Sequence, residues 1–226
     1  MLNRLRESGR LPLSVFLIAA SVYCGALSAL RFFLIHSQSY LFLNWNLFLA
    51  FVPWLLTSLA VLRTLKNRAA LLVIMAVWLA LFPNCPYILT DLMHLRQIGD
   101  APLWLDLIIV LSFAWVGLCY GFMSLMDVRF LLRERFHAGS KTIEWLTVSV
   151  IYLAAFGVYI GRFWRWNSWD LLGNPAELMR DTLDRFTDGA NYSRVLGFTI
   201  LMGTLLNAMF FFISRARRSP GPSTRP

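Results

Sequence analysis

The chain has 226 residues, of which 58% are hydrophobic and only 15% charged, and its mean hydropathy is +0.60. A soluble domain carries about a quarter charged residues, so a water-soluble fold is excluded and the composition is that of a membrane protein. The net charge of +9 sits in blocks flanking apolar runs, where it reads as membrane topology and attraction to anionic headgroups. No basic motif with interleaved stacking aromatics lies outside those runs, so no nucleic-acid partner is expected.

Six runs each approach the roughly 20 residues that cross about 30 Å of hydrocarbon as a helix. They cover about Leu11–Phe33, Tyr40–Leu62, Ala69–Thr90, Leu103–Met126, Ile143–Gly161 and Ser193–Ile213. The pattern predicts an all-α polytopic membrane protein, one domain over residues 1–214, with a disordered basic tail over 215–226. The first run follows Arg4, Arg6 and Arg10 and is broken only by Arg31. It exceeds the roughly 7–15 residues of a signal-peptide core and no A-x-A cleavage site follows, so a retained helix is expected. No internal repeat is visible, and an inverted-repeat transporter gains no support. Cys24, Cys85 and Cys119 lie within apolar runs and form no C-x-x-C pair, which predicts free buried thiols.

Tyr40 opens the second run, so Asn44 and Asn46 fall within about 10 Å of the same end. The third run closes on L81-F-P-N-C-P-Y-I-L-T-D-L-M-H-L95. Its unbroken part, Ala69 to Phe82, is 14 residues, or about 21 Å, too short to span about 30 Å. Pro83 and Pro86 then lie at membrane depth and cannot donate to the carbonyls of Leu79 and Phe82. Lipid cannot replace those donors. The expectation is that this stretch faces inward and lines a polar cavity, with Asn84 supplying donors and Tyr87 nearby. The alternative is a helix end fraying into the interface, with Tyr87 as a belt residue.

Asp106 comes early in the fourth run, at the same end. The fifth closes on G161-R-F-W-R-W-N-S-W-D170, where Trp164, Trp166 and Trp169 suit an interfacial belt. Arg162 and Arg165, three apart, share a helix face, and two guanidiniums held together suit a phosphate or carboxylate. Pairing with Asp91, Asp106 or Asp170, or lying against lipid phosphates, would explain each Arg equally. In the following loop, Asn174-Pro175-Ala176-Glu177 reads as N-cap, N1 proline and N3 acid. Leu178, Met179, Leu183 and Phe186 recur at helical spacing, with Arg180–Asp184 and Asp181–Arg185 as i,i+4 pairs. A short amphipathic helix on the outer membrane face, ending near Asp188-Gly189, is predicted.

The Lys and Arg residues divide 14 to 7 between the two sides. The richer side carries both termini, which places them in the cytoplasm. Asn44, Asn46, Asn84, Tyr87, Asp91, Asp106, Arg162, Arg165 and Asn167 then share the outer side as candidate ligand-binding residues. Asp91 and His94, at i and i+3, could both ligate a metal with Asp106 or Asp170, but an N-cap at Thr90 or Asp91 explains the same letters. No metal is therefore expected and no cofactor is indicated. Three functions follow. One is a bundle binding an anionic small molecule or lipid headgroup. Another is an outer-leaflet enzyme acting on a lipid-linked or cell-envelope substrate, with Asp91 or Asp170 as base and His94 as partner. The third is a structural subunit that docks another envelope protein through the last outer loop.

The order W45-N-L-F-L-A50, P83-N-C-P-Y-I-L-T-D91 with His94, and G161-R-F-W-R-W-N-S-W-D170 resembles an uncharacterised family of bacterial integral membrane proteins, domain of unknown function 1361. The resemblance implies a multi-pass bacterial inner-membrane protein of about this length. It implies no activity, cofactor or substrate. Cysteine stands at position 85, where a small residue is usual, which argues against Cys85 as a functional thiol.

Overall fold

The structure, a computed structural model, describes residues 10–63, 65, 67–95, 102–166, 173–186 and 189–216. Its helices are α1 (Leu11–Ile35), α2 (Phe42–Leu62), α3 (Arg68–Leu81), α4 (Asn84–Tyr87), α5 (Leu103–Phe136), α6 (Ser140–Tyr159), α7 (Pro175–Phe186) and α8 (Gly189–Ala216). A 3₁₀ segment, Ile88–His94, follows α4, and a π-helical turn, Ile160–Trp164, follows α6. Six helical stretches are long and apolar enough to cross a membrane, and no strand occurs among the described residues. The chain is an all-α, multi-pass membrane protein.

α5 is the axis of the bundle. Ile109, Val110 and Phe113 are fully buried on it, and its apolar surface meets α1, α2, α4 and α6. At 34 residues it measures about 51 Å, well beyond the fourth run as bounded at Met126. The charges after Met126 do not end the helix because the bundle satisfies them. Asp127 accepts from Arg10 and from Thr57 Oγ1 at 3.1 Å, and Arg129 donates to Thr147 Oγ1 at 2.6 Å.

α1 runs antiparallel to α5 and is fastened to it at both ends. Arg31 forms a two-point ion pair with Asp106, and Arg10 pairs with Asp127. Arg10 to Arg31 and Asp106 to Asp127 are both 21-residue steps, about 32 Å of helix rise, which matches about 30 Å of hydrocarbon. The end that holds Arg31 and Asp106 is called the site end below.

The third span breaks where the prolines require. α3 has 14 residues, capped at its start by Asn67, whose side chain accepts from the amides of Ala69 and Ala70. Beyond Leu81 the chain turns inward and lies in two glycine notches. On α5, a Cβ at Gly121 would stand 2.7 Å from Cys85 Cβ, and one at Gly117 2.7 Å from Ile88 Cδ1. On α6, a Cβ at Gly157 would stand 2.8 Å from Pro83 Cγ, and Gly161 faces the Tyr87 ring. Two G-x-x-x-G faces therefore let the broken segment approach closely, as small residues do between membrane helices. α6 and α8 pair antiparallel, with Tyr159 edge-on to Phe198.

Candidate functional site

The helix break supplies its own donors to two of the carbonyls it exposes. The Phe82 carbonyl, left without a donor by Pro86, accepts from the Cys85 amide at 3.1 Å in a tighter turn. The Leu81 carbonyl, which Cys85 thereby abandons, accepts from the Asn84 side-chain amide at 2.9 Å. Asn84 thus serves the helix break. Cys85 is fully buried, and its Sγ lies 3.4 Å from the Ala50 carbonyl. The void beside it is lined by apolar residues of α4, α5, α6 and α8 and leaves room for about one water. The stretch faces protein, as expected; around Cys85 and Pro86 its surroundings are apolar, not the polar cavity expected there. Cys24, Cys85 and Cys119 are free thiols, Cys119 only half-buried.

The polar groups gather one to two turns further on. The 3₁₀ segment turns Thr90 and Asp91 into the bundle, and Asp91 is fully buried. Asp91 Oδ2 accepts from Asn46 Nδ2 at 2.9 Å, and Oδ1 accepts from Arg162 Nη2 at 2.6 Å. Arg162 also donates through Nε to Thr90 Oγ1 at 2.8 Å and through Nη1 to the Tyr87 hydroxyl at 3.4 Å. Its guanidinium lies 4.8 Å from the Tyr87 ring centroid, a cation–π contact. Three edges of one guanidinium are therefore held by three residues of one short segment. The π-helical turn aims Arg162 there by adding a residue to the last turn of the helix; such turns concentrate at functional sites. It ends at Arg165, exposed and left-handed at φ 61°.

His94 is the group that this cluster leaves open. Its Nδ1 lies 3.9 Å from Asp91 Oδ1, and its side chain is 52% exposed. The Phe42 ring stands edge-on to the imidazole at 5.9 Å. The Tyr40 hydroxyl donates to the His94 carbonyl at 3.2 Å, while the Tyr40 ring supports the Arg31 guanidinium at 4.7 Å. Tyr40 thereby joins the Asp91–Arg162 cluster to the Arg31–Asp106 pair.

The candidates named from sequence separate accordingly. Asn46, Tyr87, Asp91, Arg162 and His94 come together. Asp106 belongs to the Arg31 pair, and Asn44 donates to Ser28 Oγ at 2.9 Å. Asn167 and Asp170 lie outside the described residues. Of the two readings of Arg162, pairing with Asp91 is the one the structure shows. Among the described residues no group of three His, Cys, Asp or Glu could hold a metal. Sequence reasoning missed Arg31, Arg10 and Asp127; the equal 21-residue spacing of opposite charges on two spans was the available signal.

Residues 45–209, most of the chain and including Asn46, Tyr87, Thr90, Asp91, His94 and Arg162, match the model of a family described as Protein of unknown function (DUF1361). The chain belongs to the DUF1361 family. No curated protein and no solved structure matches it. The DUF1361 match spans the break of the third span and the end of the fifth, so Asp91 and Arg162 meet within the part of the chain that carries family membership.

Proposed function

We propose that this DUF1361 protein binds an anionic group at the site end of its bundle, with His94 as the contacting side chain and the Asp91–Arg162 pair as its support. The carrying observation is the asymmetry of the cluster. Asp91 is buried and Arg162 largely so, and both are occupied by each other, by Asn46, Thr90 and Tyr87, whereas His94 beside them is half exposed. The Asp91 carboxylate lies 3.9 Å from Nδ1, which places negative charge on that side of the ring and leaves Nε2 for a ligand. Exposed Arg165 adds positive charge three residues beyond Arg162. The distribution of Lys and Arg supports an orientation with both termini in the cytoplasm and this end outward. The family resemblance supports a bacterial inner membrane.

Glycerol 3-phosphate is a suitable probe. Bound to the folded state, it raises the unfolding temperature of the detergent-solubilised protein in a concentration-dependent way. His94→Gln is expected to abolish that rise and Arg165→Gln to reduce it. An undiminished rise in His94→Gln would exclude this site.

The 3.9 Å separation of Asp91 and His94 favours a second reading, an outer-leaflet enzyme in which Asp91 holds His94 as general base toward a lipid-linked or cell-envelope substrate. Turnover of such a substrate, lost in His94→Gln and in Asp91→Asn, would establish it.

A further inference from the structure

We infer that the anion taken at His94 is the phosphate of a membrane lipid, which reaches the site sideways through the bilayer along α2; this rests on the anion-binding reading above. His94 opens among apolar side chains. Met93 beside it is 64% exposed and Phe42, edge-on to its ring, is 43% exposed. Trp45 and Phe48 continue the same face of α2, 56% and 51% exposed, with ring centroids 5.4 Å apart. Phe42, Trp45 and Phe48 are spaced i, i+3, i+6, so the track descends about 9 Å from His94. Meanwhile Leu43 and Leu47 bury the opposite face of the helix, and Asn46 donates to Asp91.

One helix thus fixes the buried carboxylate with one side and presents an aromatic strip to the hydrocarbon with another. An interfacial belt is built of Trp and Tyr at headgroup depth, which accounts for Trp45 but not for Phe48 below it. A water-soluble anion would use His94 alone, and the strip would then be ordinary lipid-facing surface. A phospholipid uses both: its phosphate meets His94 and its acyl chains lie along Phe42, Trp45 and Phe48. The strip is continuous with the lipid-facing surface of the bundle, so entry needs no opening of the helices.

The test is native mass spectrometry of the intact chain in a mild detergent with three probes: dioleoylphosphatidylglycerol, dioleoylphosphatidylcholine and glycerol 3-phosphate. Wild type is expected to retain the anionic lipid about tenfold better than the zwitterionic one, a difference of roughly 1.4 kcal/mol. Trp45→Ala/Phe48→Ala is expected to lose that retention while binding glycerol 3-phosphate as wild type does. Both side chains face lipid, so the packed core is untouched; Trp45→Leu/Phe48→Leu, which keeps the strip apolar, is expected to show a smaller loss. Unchanged lipid retention in the double variants overturns the lateral route. Glycerol 3-phosphate binding as strong as the lipid's does the same but keeps the anion site. Equal binding of every probe by wild type and His94→Gln removes the site itself, and the inference with it.

Discussion

Asp91→Asn removes one charge from a pair whose carboxylate is fully buried and whose guanidinium side chain is 11% exposed. The new amide can turn its oxygen to Arg162 and its N–H₂ to the oxygen of a flipped Asn46, so what is lost is the charge that balances Arg162. Breaking a buried ion pair at one partner costs about 3–5 kcal/mol, because the other charge stays buried without compensation. The remaining Arg162 bonds to Thr90 and Tyr87 and its partial exposure favour the lower half of that range. In a chain of this size 1 kcal/mol corresponds to about 2–4 °C of unfolding temperature, so a fall of roughly 6–15 °C is expected. The companion variant Arg162→Met strands the carboxylate and should cost at least as much. The double variant replaces the pair by neutral groups and should recover part of the loss, giving a coupling of at least about 2 kcal/mol in a double-mutant cycle. Unfolding in mixed micelles of increasing SDS fraction measures all four proteins reversibly. Single variants within about 1 kcal/mol of wild type, or losses that simply add, would refute the claim that Asp91 and Arg162 depend on each other.

Gly157→Val puts branched atoms against the rigid Pro83 ring, already 2.8 Å from an added Cβ, and should destabilise by about 1–3 kcal/mol in the same micelle assay; full stability would mean the notch is not tight. Asp106→Asn strands the fully buried Arg31 and should cost about 3–5 kcal/mol, with Arg31→Met/Asp106→Asn recovering part of it; equal loss in single and double variants would contradict the two-point pair. Hydrogen bonds from Arg185 first, and then from Trp166, hold the Asp181 carboxyl below its ordinary value. Its contribution is thus present above the unfolded-state value of 3.8 and is lost as pH falls further, through the lower folded value. The Trp166 indole N–H resonance should shift only in that acid window, and not at all in Asp181→Asn; a shift at higher pH would contradict the assignment.

The number of spans, the short unbroken stretch before Pro83 and the helix Pro175–Phe186 were legible because each depends on local rules: apolar length, proline chemistry and capping. The inward turn of the third span was also legible, since its backbone cannot face lipid. How its carbonyls are satisfied was not. Cys85 and Asn84 mend the break through a tight turn and a side-chain bond, a choice made by packing in the glycine notches of α5 and α6. The pairing of Arg162 with Asp91 and of Arg31 with Asp106 could not be assigned from spacing alone, because helix rotation and vertical offset decide which opposite charges meet. The continuation of α5 beyond Met126 was not legible for a related reason: Asp127 and Arg129 find their partners on other parts of the bundle, which spacing along one helix does not show.

The chain has only three histidines, so selective ¹⁵N labelling of imidazoles isolates His94 once His36→Gln and His137→Gln remove the others. In nanodiscs whose lipid is changed from dioleoylphosphatidylcholine to dioleoylphosphatidylglycerol, the His94 Nε2 resonance should move, and Asp91→Asn should abolish the response. A resonance that stays in place across the whole lipid series would contradict a ligand site built on Asp91 and presented by His94.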